Sequence, residues 1–338
     1  MTASQMWAEA LRGMRVTSAD IQLVTAADSR YVPYLSAMLT SVRDNLDPTS
    51  LLHVTVLTRD VDPRTVRWPN RGADDTLRCF APEVPPGIVL PIGPNDHLTV
   101  DTYYRLFLES AFDDSVKRIV YLDSDLVVLG DLSRLAFVDL GGNTIGAVMD
   151  FAIRRWSGPR TCEALKSQVQ GAGRGYFNAG VLVINLDAWR GRRVRDVACR
   201  FLNENFGRIH CWDQDALNHA LADDWYGIDP RWNRMCYWDR PEFEEPPFSS
   251  DVMASLAQPY VVHFTGRRKP WNDIRHEARE YFDRYVTMAG FGGCRMTMAK
   301  AAWFSLRDRV QRSGRRYTLQ GAVRRMKRML RQVAGCKR

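Results

Sequence analysis

Ile119-Val-Tyr-Leu-Asp-Ser-Asp-Leu-Val-Val128 places two carboxylates, one residue apart, inside an apolar run. The first half, Arg118-Ile-Val-Tyr-Leu122, reads as a short buried strand that ends in Asp123-Ser124-Asp125. If the backbone stays extended there, the Asp123 and Asp125 side chains leave on the same side and can converge on one cation. Hard oxygen ligands suit Mg²⁺ or Mn²⁺, and either ion can bridge a diphosphate and stabilise it as a leaving group without a proton. A bare D-x-D is equally a solvated acidic turn. The flanking β-forming residues favour a ligand site at a strand's mouth.

Working outward, Ile21 to Ala27 reads as a first strand, followed by the turn Asp28-Ser29-Arg30 and a helix from Pro33 to about Leu46. Pro33 suits a first helical position, and Leu35, Met38, Leu39 and Val42 share one helical face. Leu51–Leu57 is a second strand, Thr102 to Phe112 is helical in period, and Val181-Leu-Val-Ile184 suits a strand buried on both faces. The alternation predicts an α/β domain with a mainly parallel sheet, right-handed crossovers, and sites at the carboxyl ends of its strands.

A second constellation lies downstream. Tyr260-Val-Val262 reads as a strand leading into His263-Phe-Thr-Gly266-Arg-Arg-Lys269-Pro-Trp271. His263 is either a buried, hydrogen-bonded histidine or a nitrogen ligand; as a ligand it tilts the site towards Mn²⁺. Gly266 would let backbone approach a phosphate, and Lys269 offers a compact positive charge.

The bulk numbers set bounds. The 338 residues are 45% hydrophobic and 25% charged, the composition of an ordinary globular protein. Seven scattered cysteines form no CxxC pair, which argues against a disulfide framework or zinc knuckle and for a reducing cytoplasm. No run approaches the ~18 apolar residues of a spanning helix, and Met1 to Val16 lacks an apolar signal core. The net charge of +8 is unevenly placed: from Arg295 onward there are 14 basic residues and one acidic, so the preceding 294 residues are net acidic.

Six segments occur in order: Ala26-Ala-Asp-Ser-Arg-Tyr31, Thr102-Tyr-Tyr-Arg105, Tyr121-Leu-Asp-Ser-Asp125, Phe177-Asn-Ala-Gly-Val181, Trp212-Asp-Gln-Asp215, and His263-Phe-Thr-Gly266 with Lys269-Pro-Trp271. Over roughly residues 18 to 275 the series resembles glycosyltransferase family 8, especially the bacterial lipooligosaccharide α-galactosyltransferases and more distantly glycogenin. The resemblance implies a GT-A fold, a UDP-sugar donor, Mn²⁺, and retention at the anomeric carbon. It implies that Asp123, Asp125 and His263 hold the metal and that Gly266 and Lys269 hold the diphosphate. Asp28 would hydrogen-bond uracil and Tyr31 would stack on it, with Ala26, Ser124, Ala179 and Gly180 also at the donor. Members of the family often carry a small polar residue where this chain has Arg30.

Asn178 has both donors and acceptors to read sugar hydroxyls, and it is equally a turn-shaping residue. Asp213 and Asp215 read alone as helix N-terminal acids; the resemblance instead puts Asp213 and Gln214 at the donor sugar, with Arg105 beside them. An amide oxygen is a poor nucleophile, so front-face attack is expected over a covalent intermediate on Gln214. Asp150, after Ala147-Val-Met149, is either a contact to acceptor or donor hydroxyls or a solvated strand-end acid.

The sequence therefore predicts a lead-in (1–17), a GT-A catalytic domain (18–291) and a basic tail (292–338). In the tail Leu319, Val323, Met326, Leu330 and Val333 form one helical stripe among basic residues, which suits an anionic membrane surface rather than nucleic acid. The expected enzyme moves galactose or glucose from its UDP form to a glycan or glycolipid hydroxyl, at the cytoplasmic face of a membrane. A glucosyltransferase acting on a protein or small metabolite, a sugar nucleotidyltransferase and a non-catalytic sugar-binding protein are the alternatives.

Overall fold

The computed structural model describes residues 20–90, 100–155, 158, 160–167, 175–236 and 248–300. The tail stripe lies outside them, as do the glycine-rich residues 171–174 before Gly175 and residues 237–247.

Among the described residues the main sheet comprises β1 (Asp20–Ala26), β2 (Leu51–Leu57), β3 (Thr76–Phe80), β4 (Arg118–Leu122), β6 (Ile145–Met149), β7 (Phe177–Asn185) and β8 (Trp225–Gly227). Their order is β3-β2-β1-β4-β7-β6-β8. β1 pairs in parallel with β2 and β4, β2 with β3, and β6 with β8; β7 runs antiparallel to both β4 and β6. The sheet is thus mainly parallel. The apolar run at Val181–Ile184 belongs to its one reversed strand, because an apolar run records burial on two faces and not strand direction.

Side chains along the central strands alternate between two cores. Ile119 and Tyr121 of β4 enter the core that also holds Phe107, Trp189 and Leu217. Val120 and Leu122 enter the other, with Leu35, Met38 and Val56. Helix α1 (Val32–Asn45) covers this second face, with Pro33 in its first turn as the sequence predicts. Helices α2 (Val194–Glu204) and α3 (Trp212–Leu221) pack on the first. The segment read as helical before β4 is a 3₁₀ helix, Val100–Ala111, with Tyr103, Leu106, Phe107 and Leu108 buried.

A second sheet positions the site. β5 (Leu126–Val128), β9 (Arg234–Met235) and β10 (Val261–His263) lie in the order β5-β10-β9. β5 pairs antiparallel with β10, opposing Leu126 to His263, and Phe264 N–H donates to the Asp125 carbonyl (3.0 Å). Two segments 138 residues apart therefore meet where the aspartates stand. Beyond, helix α4 (Arg279–Met288) packs on α1, and Met296 is buried, so packed chain continues past residue 291.

Candidate active site

The expected donor-site residues gather where β1, β4, β6 and β10 end, where the reversed strand β7 begins, and on the helices and the loop beside them. Asp123 follows β4 and is fixed by its N–H donating to the Gly180 carbonyl of β7 (2.8 Å). Its Oδ1 takes the Tyr121 hydroxyl (3.1 Å) and an ion pair from Arg105 Nη2 (2.8 Å). Its Oδ2 faces His263 Nε2 at 3.6 Å, and Asp125 Oδ1 faces the same nitrogen at 3.3 Å. One ligand atom from each of the three lies within 4.8 Å of the others. Two carboxylates and an imidazole converging in this way fit a divalent cation such as Mn²⁺ or Mg²⁺. Gly180 makes the approach possible, since a Cβ there would stand 2.8 Å from Asp123 Oδ2 and 2.2 Å from His263 Cε1.

Lys269 Nζ contacts Asp125 Oδ2 and the Phe264 carbonyl, and the lysine is buried. Burial opposes the Asp125 charge, but Lys269 and then His263 outweigh it and hold the carboxyl well below its ordinary range. Gly266, three residues earlier, has φ +75°, a conformation glycine adopts without strain. Trp271 stacks on Tyr34, with ring centroids 3.8 Å apart, and Tyr34 meets Tyr31 edge-on at 5.2 Å. An aromatic chain thus links the Lys269 loop to Tyr31.

Ala26, Asp28 and Tyr31 line one cleft together with Arg105, Ser124 and both aspartates. Asp28 Oδ1 accepts the N–H groups of Arg30 and Tyr31, capping a 3₁₀ turn. Arg30 forks onto Asp28 Oδ2 through Nε (3.1 Å) and Nη2 (2.6 Å), so the residue that departs from the family pattern engages the Asp28 carboxylate.

Arg105 joins the Asp123, Asp125 and His263 cluster to a second group of residues. Besides Asp123 it contacts Asp213 Oδ2 through Nε (2.6 Å) and donates from Nη1 to the Ala179 carbonyl (2.7 Å). Burial opposes its charge, yet Asp123 and Asp213 raise its pKa further. The Asp213 carboxyl is pushed up to about 6: burial and the neighbouring Asp123 exceed the pull of Arg105. α3 starts at Trp212 with no side-chain cap, so Asp213 is an ion-pair partner and not an N-cap. Asp215 accepts the N–H groups of His210 and Cys211 and the Tyr176 hydroxyl.

Gln214, Asn178 and Asp150 meet at the end of β6 and β7. Gln214 Oε1 accepts the Ala179 N–H (3.0 Å), and its Nε2 donates to Asp150 Oδ2 (3.2 Å) and Tyr176 Oη (3.3 Å). Asn178 Nδ2 donates to the same Asp150 oxygen (3.1 Å). Asp150 is 2% exposed and its other oxygen caps Ala152 and Ile153, so the solvated-acid reading is wrong: the sheet's end packs it inside. Sequence reasoning missed Asn233, Tyr176, Asp215 and Tyr34. Asn233 Oδ1 lies 2.9 Å from His263 Nδ1, and single polar residues of this kind carry no spacing pattern.

The model for glycosyl transferase family 8 matches residues 22–275, and the chain belongs to that family. It is 30% identical over 289 residues to general stress protein A of Bacillus subtilis, covering 79% of this chain and 93% of that one. It is 29% identical over 176 residues to a lipopolysaccharide 1,3-galactosyltransferase of Salmonella typhimurium, covering about half of each (52% and 50%). Among solved structures, the galactosyltransferase LgtC in complex with donor and acceptor sugar analogs superposes with a TM-score of 0.66 at 26% identity, over 79% of this chain and 96% of that one. The fold is therefore GT-A and the protein a glycosyltransferase.

Proposed function

We propose that this enzyme transfers galactose or glucose from a UDP-sugar to a glycan or glycolipid hydroxyl, with retention and with Mn²⁺. The observation that carries the reading is the convergence of Asp123, Asp125 and His263, the two aspartates lining one cleft with Ala26, Asp28 and Tyr31. Tyr31 would stack on the base, with Asp28 and Ala26 at its edge and Ser124 near the ribose and phosphates. Asp123, Asp125 and His263 would hold the metal, which neutralises charge on the departing diphosphate. Lys269 and the Gly266 backbone would share the diphosphate's remaining charge. The general stress protein A likeness names no substrate; the 1,3-galactosyltransferase and the glucosyltransferase WaaO of Escherichia coli (28% identical over 176 residues) support a hexose and a lipopolysaccharide-type acceptor.

In the sugar pocket, Arg105 and Asp213 would bind hydroxyls of the hexose, and Asn178, Ala179 and Gly180 would shape its floor. Gln214 is held by its own hydrogen bonds with its amide towards Asp150 and Ala179. A neutral carboxamide stabilises positive charge at the anomeric carbon weakly and forms no stable glycosyl bond, which favours attack on the leaving-group face. Mechanistic retention then needs no covalent intermediate. Among the described residues no helix is long and apolar enough to cross a membrane; attachment to the inner face of a membrane would fall to the basic tail. A panel of UDP-sugars with Mn²⁺, scored for slow hydrolysis without acceptor, tests the donor. Turnover of none of them would overturn the reading.

A further inference from the structure

Four buried polar side chains run in series from the sugar pocket to the metal triad: Asp150, Asn178, Asn233 and His263, which are 2%, 6%, 0% and 4% exposed. Buried amides must satisfy both ends, and which end faces which neighbour follows from partners whose roles are fixed. Two such partners flank Asn178. Asp150 Oδ2, as a carboxylate oxygen, only accepts, so the Asn178 atom beside it (3.1 Å) is the donating Nδ2. The Gly180 backbone N–H only donates, so the Asn178 atom it meets (3.0 Å) is the accepting Oδ1. Both constraints give the same orientation.

That orientation propagates. Asn178 Oδ1 also faces Asn233 at 2.9 Å, so Asn233 presents Nδ2 there and turns Oδ1 towards His263 Nδ1, 2.9 Å away. An amide oxygen accepts only, so Nδ1 of His263 must carry the proton. In the neutral ring Nε2 is then a bare lone pair, and it points between Asp123 Oδ2 and Asp125 Oδ1. Three acceptors facing one another need a cation between them.

We infer that Asn233 is a positioning residue: with its polarity set by Asn178, it commits His263 to the Nδ1–H tautomer and so makes Nε2 available to a divalent cation. The neutral histidine side chain in water prefers the opposite tautomer, so the chain does work that the ring does not do by itself. Asp150 acts at the far end of the same series. The inference rests on the proposed function only for the cation, since the tautomer is a property of the protein alone. An outer partner of this kind usually contributes about 10–100-fold in metal affinity.

The test uses the full chain labelled with ¹⁵N-histidine, in chelator, at a pH where the ring is neutral. Long-range ¹H–¹⁵N spectra read the tautomer, and a His263→Gln spectrum assigns the signal. The wild type should show Nδ1 protonated. Asn233→Leu should shift the ring to Nε2–H and weaken Mn²⁺ binding, followed by electron paramagnetic resonance of the free ion, about tenfold or more. Asn233→Asp, which still accepts from Nδ1, should keep the wild-type tautomer. A wild-type ring protonated at Nε2, or an Asn233→Leu protein with unchanged tautomer and Mn²⁺ affinity, overturns the inference. Should Asn233→Leu not fold, Asn178→Ala leaves Asn233 in place without a fixed polarity and should give mixed tautomers; a pure Nδ1–H form there overturns the series. Wild-type protein with the Nδ1–H tautomer but no Mn²⁺ affinity would sink the proposed function and leave the tautomer assignment standing.

Discussion

Gly180 lies so close against His263 that a Cβ added to the glycine would stand 2.2 Å from the ring's Cε1. The same carbon would meet Asp123 Oδ2 at 2.8 Å. Gly180→Ala must therefore push apart two members of the candidate metal triad. The expected cost is about 1–3 kcal/mol of stability from overpacking, together with a larger loss of Mn²⁺ affinity than any fall in thermal midpoint would suggest. Isothermal titration with Mn²⁺ on folded variant decides it. Wild-type affinity would mean that the ring moves away freely.

Asp125 is shared between His263 and Lys269, so its replacement removes a ligand and strands a buried cation. Asp125→Asn keeps the shape and should reduce turnover by at least two orders of magnitude, and Asp123→Asn should do likewise. Asp125→Asn should also destabilise the metal-free protein, because Lys269 loses its buried counter-charge. Transfer at an undiminished rate by either purified variant would refute the metal assignment.

Strands β1, β2, β4, β7 and β10, the D-x-D and the order of the six segments are legible in the sequence, because each is a local pattern; the short strands β3, β8 and β9 carry no such apolar run and are not. What it left out is long-range. Nothing in Leu126–Val128 says that it pairs with Val261–His263, yet that pairing is what delivers His263 to Asp125. Asn233, Tyr176 and Asp215 act through contacts that only the fold assembles, and a lone polar residue in sequence cannot be told from a solvated one. Asp213 was the harder case: two acids opening a helix look like dipole partners, and only the distance to Arg105 shows otherwise. Burial of Met296 likewise follows from contacts beyond the composition break at Gly292-Gly293.

Gln214 is tied at both ends of its amide, to Ala179 N–H and to Asp150 and Tyr176. Gln214→Ala should therefore lower kcat about 10–100-fold through lost polarity and lost positioning, well short of the loss on deleting a nucleophile. Steady-state rates with a saturating donor measure this. A sugar trapped covalently at position 214, or on Asp213, would overturn front-face attack.

The Asp213 carboxyl titrates near 6 because burial and Asp123 raise it more than Arg105 lowers it. An unfolded aspartate titrates near 4. The folded state thus holds this proton more tightly, so its contribution favours folding below about pH 4. That contribution is lost as pH rises through about 6, and it is level beyond. Asp213→Asn cannot titrate. In chelator, the stability advantage of wild type over the variant, measured by urea unfolding, should shrink between about pH 4 and 6. An advantage that grows over this interval would mean that Arg105 dominates and the shift has the opposite sign.

The proposed membrane attachment rests on the basic tail. Met296 is buried, and a deletion that spares every described residue begins at Ala301. Residues 301–338 carry 12 basic side chains against Asp308 alone, and the spacing of Leu319, Val323, Met326, Leu330 and Val333 is that of one helical stripe. Charge and burial should both contribute to binding at anionic lipid, and salt should weaken only the first. Deleting 301–338 should release the protein from vesicles of graded anionic content while UDP-sugar hydrolysis continues, because the family match ends at residue 275. Sedimentation and hydrolysis, read on the same preparation, separate the outcomes. Equal co-sedimentation of the truncated protein would remove the tail as the anchor. Lost hydrolysis in a folded truncation would instead make the tail part of the active site.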